Sequence, residues 1–206
     1  MKIKSFVVGI AGANLYLITN EKTKETIAID PGGNLKKIDD YIEENGLILK
    51  AILLTHGHFD HIMGIEEMKK HGEVPVYIAE PDLELLEDGD KNLSTMFVNE
   101  GFIYQGATSL QDGAIIKEAG FTLELIETPG HTEGSSCYYL KEEGVLFSGD
   151  TLFRASVGRT DLVGGSDKIG PSIKEKLFVL PDETVVYPGH GGATTIGYEK
   201  KNNPYV

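Results

Sequence analysis

Residues 53–64 read LLTHGHFDHIMG, a stretch that holds three of the six histidines of the 206-residue chain. It contains the pattern H-x-H-x-D-H, formed by His56, His58, Asp60 and His61. The apolar run before it is typical of a buried strand, and Gly57 breaks the pattern just beyond. Side chains two positions apart in an extended segment point the same way, so we expect the first three of these side chains to converge. Imidazoles and a carboxylate at this density indicate a transition-metal site rather than a polar loop with chance histidines.

The composition limits the classes of function. A chain of 206 residues with 40% hydrophobic and 25% charged residues is ordinary for a globular protein, and we predict one domain over residues 1–206. The formal net charge of -13 argues against nucleic acid as a partner, because phosphate binding needs a basic face. Cys137 is the single cysteine, which excludes an internal disulfide and a cysteine-rich zinc cluster. Its apolar neighbours predict a buried core residue.

The N-terminus has two interpretations. MKIK followed by SFVVGIAGA resembles a secretory signal peptide, with a basic start and an A-x-A-like end. The apolar stretch is short, however, and strand patterning resumes at once in ANLYLITN. We therefore predict two paired strands and a cytoplasmic protein. No run approaches the ~18 consecutive apolar residues of a membrane helix, so no membrane partner is expected.

Strands and helices alternate along the chain without a linker-like change of composition. We predict strands near 2–8, 13–18, 25–30, 50–55, 75–80, 121–128, 136–140, 144–148 and 184–187. We predict helices near 35–45, 62–71, 80–88 and 167–180. The polar segment 89–112 has three glycines and no clean period, and we predict a mobile loop over the site.

Further candidate ligands recur at the ends of predicted strands. TPGH at 128–131 and YPGH at 187–190 both combine a strand end, a Pro-Gly turn and a histidine, and LFSGD ends another strand at Asp150. Loops at strand ends carry binding groups on a rigid scaffold. His71 is the one histidine left over, and we predict a surface residue near a helix end.

These candidate ligands divide between two metal ions. One ion would be held by His56, His58 and His131, and the other by Asp60, His61 and His190. Asp150 is the spare carboxylate, whose two oxygens can bridge two metals. Two ions ~3.5–4 Å apart share a water and lower its pKa towards ~7, which produces hydroxide, a nucleophile, at neutral pH. The nitrogen and oxygen ligands suit two divalent ions, zinc by preference, with iron or manganese as alternatives.

The motifs THGHFDH, GHT, SGDTLF and PGHG, in this order, resemble those of the metallo-β-lactamase superfamily. The resemblance spans nearly the whole chain and implies an α/β fold, a four-layer αββα sandwich of two mixed sheets flanked by helices. It also implies the ligand sets of both ions, motif by motif. The ligands so implied are His56, His58 and His131 for the first ion, Asp60, His61 and His190 for the second, and Asp150 as the bridge.

Within that superfamily, DTLFRASVGRTDLVGG and the tail TTIGYEKKNNPY resemble segments of the glyoxalase II-like hydrolases, where a G-R or G-K pair contacts glutathione. The resemblance implies that a metal-bridging hydroxide hydrolyses a small acyl thioester similar to S-D-lactoylglutathione. Asp60 and Asp150 would be the catalytic residues and Arg159 the substrate contact. The chain stops soon after His190, without the basic tail that grips glutathione in glyoxalase II, so the identity of the thiol carrier stays open.

An alternative comes from the segment GRTD, which resembles the persulfide dioxygenases. These enzymes share the fold, use a single iron and oxidise glutathione persulfide, but they carry cysteine where this chain has Val157. Hydrolysis is preferred because all seven ligands of a two-metal site are present. A metal-storing or scaffolding domain is disfavoured because an open two-metal site has little purpose without a reacting water. The oligomeric state has no signal in the sequence.

Overall fold

Two six-stranded mixed sheets lie face to face in the structure, a computed structural model that describes residues 1–206. The first sheet has the spatial order of the sequence. Its strands are β1 (Lys2–Val8), β2 (Ala13–Thr19), β3 (Glu25–Ile29), β4 (Ile48–Leu53), β5 (Val76–Ala79) and β6 (Thr108–Leu110). The first three strands are antiparallel neighbours, and β3 to β6 are parallel.

The second sheet has the order β14-β13-β10-β9-β8-β7. Its strands are β7 (Ile115–Glu118), β8 (Phe121–Glu127), β9 (Ser136–Leu140), β10 (Val145–Gly149), β13 (Val185–Pro188) and β14 (Thr194–Thr195). Only β10 and β13 pair in parallel in this sheet. A separate two-stranded ribbon joins β11 (Leu152–Phe153) to β12 (Ser156–Val157).

Helices cover the outer face of each sheet. Those on the first sheet are α1 (Lys36–Asn45), α2 (Phe59–Ile62), α3 (Ile65–Met68) and α4 (Leu83–Leu86). Those on the second sheet are α5 (Ile169–Ser172), which a π-helical turn (Ile173–Leu177) continues, and α6 (Ile196–Asn202). None of these helices combines the length and the apolar composition that crossing a bilayer requires.

Alternating side chains build the layers, as β2 illustrates. Leu15 and Leu17 pack beneath the helices of the first sheet, whereas Tyr16 and Ile18 lie between the two sheets. Every residue of β2 is buried, because a strand covered on both faces has no solvent side. A third apolar cluster joins the second sheet to α5 and α6. Three cores between four layers confirm the αββα sandwich that the sequence predicts.

The helix predicted over 62–71 is wrong as a single element. The structure has α2, then α3, then a 3-10 turn (Lys69–His71). The break lies at Gly64, whose N–H donates to the carbonyl of Pro31 over 2.6 Å. A Cβ at Gly64 would lie 2.7 Å from that carbonyl oxygen, so only glycine allows this approach.

Two other predictions need correction. Segment 89–112 contains a 3-10 turn (Ser94–Met96) and the strand β6, both absent from the predicted loop. His71 is not a free surface residue, since only 13% of its side chain is exposed and its Nε2 lies 2.7 Å from Asp39 Oδ1. The prediction for Cys137 is confirmed, because that residue is a free and fully buried cysteine.

Candidate metal centre

Four strands end at one edge of the sandwich and bring all seven predicted ligands together. The segment after β4 carries four of them, and the loops after β8, β10 and β13 carry one each. The ligand atoms form three overlapping sets, each within 4.8 Å: His56, His58 and His131; His56, His61 and Asp150; Asp60, His61 and His190. The sequence therefore identified a cluster whose members extend from residue 56 to residue 190.

The backbone changes conformation inside the H-x-H-x-D-H pattern. His58 is extended, with ψ of 148°, and α2 begins at Phe59. Asp60 therefore lies on a helical turn, not in the extended segment that the sequence predicts for it. This corrects the expectation that its side chain converges with His56 and His58, because the turn directs Asp60 to His61 and His190 instead.

The first set consists of three imidazoles at metal-ligand spacing. His58 Nδ1 lies 2.9 Å from His131 Nε2, and the rings of His56 and His131 lie 4.8 Å apart. Tetrahedral zinc with bonds of about 2.0–2.1 Å separates its nitrogen ligands by about 3.3 Å. His131 Nδ1 donates to the backbone carbonyl of Arg159 over 2.7 Å, which leaves the Nε2 lone pair to face the other two rings.

The second set combines a carboxylate with two imidazoles. Asp60 Oδ2 lies 3.2 Å from His190 Nε2 and 3.7 Å from His61 Nε2. His61 Nδ1 donates to Asp30 Oδ2 over 3.0 Å, so its Nε2 is the free ligand atom.

Asp150 lies between the two sets. Its Oδ1 is 3.4 Å from His61 Nε2, while its Oδ2 is 3.6 Å from His131 Nε2 and 3.5 Å from His190 Nε2. A Cβ at Gly189 would overlap Asp150 Oδ1, so glycine is required beside this carboxylate. The position fits a carboxylate that binds two ions at once.

Four buried polar atoms of the cluster have no hydrogen-bond partner: Nε2 of His56, His58 and His61, and Oδ1 of Asp150. Burying such an atom without a partner costs roughly 1–3 kcal/mol. Metal coordination by His56 Nε2, His61 Nε2 and Asp150 Oδ1 offsets that cost, whereas His58 faces the cluster through Nδ1. The nitrogen and carboxylate donors fit zinc, iron or manganese. The unsatisfied buried atoms of these residues therefore fit a metal centre.

The protonation states of the two sets differ. Burial lowers the pKa of His58 to about 3 and that of His56 well below its usual value, so both rings are neutral. Burial acts in the same direction on His61, but the carboxylates of Asp60 and Asp150 outweigh it and raise the pKa of His61 to about 10. A metal at the second set must therefore displace a proton from His61, whereas His56 and His58 hold none.

Asp30 is a functional residue that the sequence analysis missed. Its Oδ1 accepts from the Thr55 amide over 2.8 Å, and its Oδ2 accepts from the Thr55 hydroxyl over 2.7 Å as well as from His61. It adopts a left-handed φ of 54°, an uncommon conformation outside glycine that clusters at functional sites. The available signal was its place directly after β3, the same strand-end position that singled out Asp150.

Asp82 is the second residue that was missed. Its Oδ2 accepts from the Gly57 amide over 2.9 Å and from the Thr132 hydroxyl over 2.7 Å, and its Oδ1 accepts from the Gly134 amide over 2.7 Å. The fully buried carboxylate thus ties the first histidine segment to the loop that carries His131. In the sequence it resembles an ordinary acidic residue at a helix start.

A cleft of about 380 Å³ opens onto the ligands. Apart from ligands, its walls are mostly apolar and comprise Ala11, Phe59, Leu93, Met96, Phe97, Phe153 and Leu162. Arg159 lies in the cleft wall as the sequence predicts, and its Nε and Nη2 donate to Asp161 over 2.6 and 2.7 Å. A larger hollow of about 520 Å³ lies beside Asp112 and Lys141, but it shares no residue with the ligands.

Comparison with known proteins identifies the family of this centre. A model described as the metallo-beta-lactamase superfamily matches residues 8–190. The chain is 39% identical over 208 residues to the probable metallo-hydrolase YqgX of Bacillus subtilis, covering 100% of this chain and 98% of the relative. It is 36% identical over 216 residues to the hydroxyacylglutathione hydrolase GloC of Haemophilus influenzae, again covering 100% and 98%.

Solved structures agree with this comparison over the same length. The BLEG-1 B3 metallo-beta-lactamase superposes with a TM-score of 0.92 at 37% identity, covering 99% of each chain. TTHA1623 in a di-iron-bound form gives 0.86 at 34%, covering 98% of this chain and 100% of that one. ETHE1 from Myxococcus xanthus gives 0.79 at 28%, covering 99% and 84%. With its cluster of histidine and aspartate ligands, the chain belongs to the metallo-β-lactamase superfamily.

Proposed function

We propose that this chain is a dinuclear metal-dependent hydrolase that cleaves a small acyl thioester similar to lactoylglutathione. The observation that carries the proposal is Asp150, whose two oxygens face both ligand sets and so favour a pair of ions over one. The likeness to the hydroxyacylglutathione hydrolase GloC supports a thioester as the bond that is cleaved.

Two divalent ions, when bound, supply activated water at neutral pH and positive charge beside the attacked carbonyl. The protein's part is to fix the ligands. Asp30 orients His61, and the carbonyl of Arg159 orients His131, so that each ring presents Nε2 to the centre. Removing such an orienting partner typically costs 10–100-fold in metal affinity or activity.

Asp60 is proposed to orient the attacking water as well as to bind metal. Burial opposes its ionisation, but His61 and His190 outweigh burial and hold the pKa of Asp60 below its usual value. The ionised carboxylate lines the cleft, where it can accept a hydrogen bond from the attacking water and orient it. Asp150 has the other catalytic role, holding the two ligand sets at a fixed separation.

Arg159 is the proposed substrate contact. Asp161 already binds the guanidinium of Arg159 through two hydrogen bonds. The substrate would therefore contact an ion pair that carries no net charge. Arg159 can donate a further hydrogen bond to a polar atom of the substrate without adding net charge.

Zinc is the metal that we propose, with iron or manganese as alternatives. The di-iron-bound form of TTHA1623 favours iron as a serious alternative on this scaffold. The second candidate function, a mononuclear iron persulfide dioxygenase, is favoured by the segment GRTD at 158–161, whose Arg159 lines the cleft.

Hydrolysis and oxidation differ in their need for oxygen. The zinc-loaded protein should cleave a thioester under argon and release one thiol per carboxylate. A thiol reagent can follow the reaction without background, because burial raises the pKa of the only cysteine, Cys137, to about 12. Oxygen uptake matched to persulfide loss, with no thioester cleavage under zinc, iron or manganese, would replace hydrolysis with the alternative.

A further inference from the structure

Large apolar side chains project into solvent around the mouth of the cleft. Met96 is 73% exposed, Phe97 is 48% exposed and Ile10 is 70% exposed. They come from two distant segments, the turn between β1 and β2 and the loop that follows α4. Exposed apolar residues that gather in one place mark a binding surface.

A side groove of about 230 Å³ extends the cleft between these segments. The cleft and the groove share Phe59 and Phe97, whose rings stack with centroids 4.3 Å apart. Beyond these rings the groove is lined by Ile10, Met63 and Val98. The cleft beside the metal ligands and the groove at the surface therefore share an apolar wall.

The charges around this surface disfavour an anionic group. Arg159 is the only lysine or arginine that lines the cleft, and Asp161 neutralises it through a bidentate ion pair. The side groove has no charged side chain in its walls. A carboxylate placed there would lose its water without gaining a partner.

We propose that the side groove is the subsite for an uncharged alkyl or aryl arm of the substrate. This inference rests on the proposed thioester hydrolysis and names the substrate class that the same site prefers. A thioester with an apolar arm fits the groove. A glutathione thioester, whose thiol arm carries carboxylates, would have to place that arm outside the groove.

A matched set of thioesters tests the preference. We would compare N-acetylcysteamine thioesters of acetate, butanoate and hexanoate with that of adipate, which has the length of hexanoate and a terminal carboxylate. Acetyl thioesters of ethanethiol and hexanethiol test the thiol arm. We expect kcat/KM to rise about fourfold per buried methylene along one of the two arms. We also expect hexanoyl to exceed adipoyl by about tenfold or more. Flat series on both arms, or a preference for adipoyl, would overturn the inference.

Substitutions inside and outside the groove test whether the preference for an apolar arm arises there. Phe97→Ala should lower the ratio of kcat/KM between the longest and shortest thioester of the responding series by about tenfold. Ile103→Ala is the matched control, because Ile103 is 58% exposed and lines neither the cleft nor the groove. Asp161→Asn should raise the adipoyl-to-hexanoyl ratio, since it frees Arg159. An equal effect of Phe97→Ala and Ile103→Ala, or no rise with Asp161→Asn, contradicts the argument.

Binding without turnover separates this inference from the proposed function. Ketones in which a methylene replaces the thioester sulfur cannot be cleaved, and calorimetry on the metal-loaded protein measures their affinity. Ketones that match both arms are compared. In one of the two series the longest ketone should bind at least tenfold more tightly than the shortest in the unmodified protein and lose that advantage in Phe97→Ala. Equal affinities would overturn the subsite. Failure to cleave any thioester, with the ketone difference intact, would overturn only the proposed hydrolysis.

Discussion

Asp150 links the two ligand sets, and an amide in its place has one good donor oxygen and no charge. We expect Asp150→Asn to lose one of two metals and to lower the hydrolysis rate by about 100-fold or more. Elemental analysis and the thiol-release assay measure both quantities. Asp167→Asn is the control, because Asp167 is exposed. Two metals and a normal rate in Asp150→Asn would exclude the bridging role.

Arg159 acts through its side chain on the substrate and through its carbonyl on His131. Arg159→Ala keeps the carbonyl, so we expect KM to rise about fivefold with little change in kcat, the effect of one hydrogen bond of roughly 1 kcal/mol. Steady-state kinetics on the best thioester measures this. Arg154→Ala is the matched control, since Arg154 stacks on Tyr198 and does not line the cleft. An unchanged KM would remove Arg159 from the substrate contacts.

At the scale of elements, segment 89–112 is anchored by buried residues, among them Asn92 and Ser94, and exposed at its tip. Asn92 is fully buried and donates to the carbonyls of Leu85 and Phe102 over 2.9 and 2.8 Å, whereas Met96 projects into solvent. Backbone hydrogen bonds that face solvent open more readily than buried ones. We therefore expect mobility only at the tip of this segment, not along the whole loop that the sequence predicts.

We expect the amides of residues 95–101 to exchange with deuterium at least tenfold faster than those of β4, because the tip has few buried contacts. The Asn92 amide, which donates to Asp88, should exchange slowly. Mass-spectrometric or NMR exchange measures both regions in one experiment. Equally slow exchange at the tip and in β4 would show that the tip does not open the cleft.

The long strands and α1 were predictable because burial alone determines the pattern of apolar residues along them. In β2 both faces are apolar, and in α1 Ile38 and Ile42 lie on one face. The short elements were not predictable. The break at Gly64 depends on a contact with Pro31, which is distant in sequence, and β14 has only two residues paired with β13.

The clustering of the seven candidate ligands was predictable because each follows a strand and belongs to a residue type that binds metals. The residues that hold the candidate ligands in position were harder to predict. Asp82 bonds to Gly57 and Gly134, and nothing in its own neighbourhood of acidic helix residues indicates that it is fully buried. The conformation of Asp60 was also hidden, because a single helical turn leaves no periodicity to read.

For the whole molecule, the two metals should leave at different pH values. His61 and His190 have raised pKa values, so a metal at their set must displace protons, and its affinity falls as pH decreases. His56 and His58 have lowered pKa values and stay neutral, so a metal at the first set displaces no proton from these two rings. Each displaced proton weakens binding about tenfold per pH unit. Metal content after dialysis between pH 8 and pH 5 should fall from two ions towards one before it reaches zero. Simultaneous loss of both ions would contradict this order.

Stepwise loading of the metal-free chain tests the dinuclear account most directly. Zinc is added in fractions of an equivalent, and thioester hydrolysis is measured at each step under argon. Because Asp150 faces both ligand sets and hydrolysis uses the whole centre, we predict that most of the rate appears with the second equivalent and that no further rise follows. Full activity after one equivalent, unchanged by the second, would contradict a two-metal hydrolase.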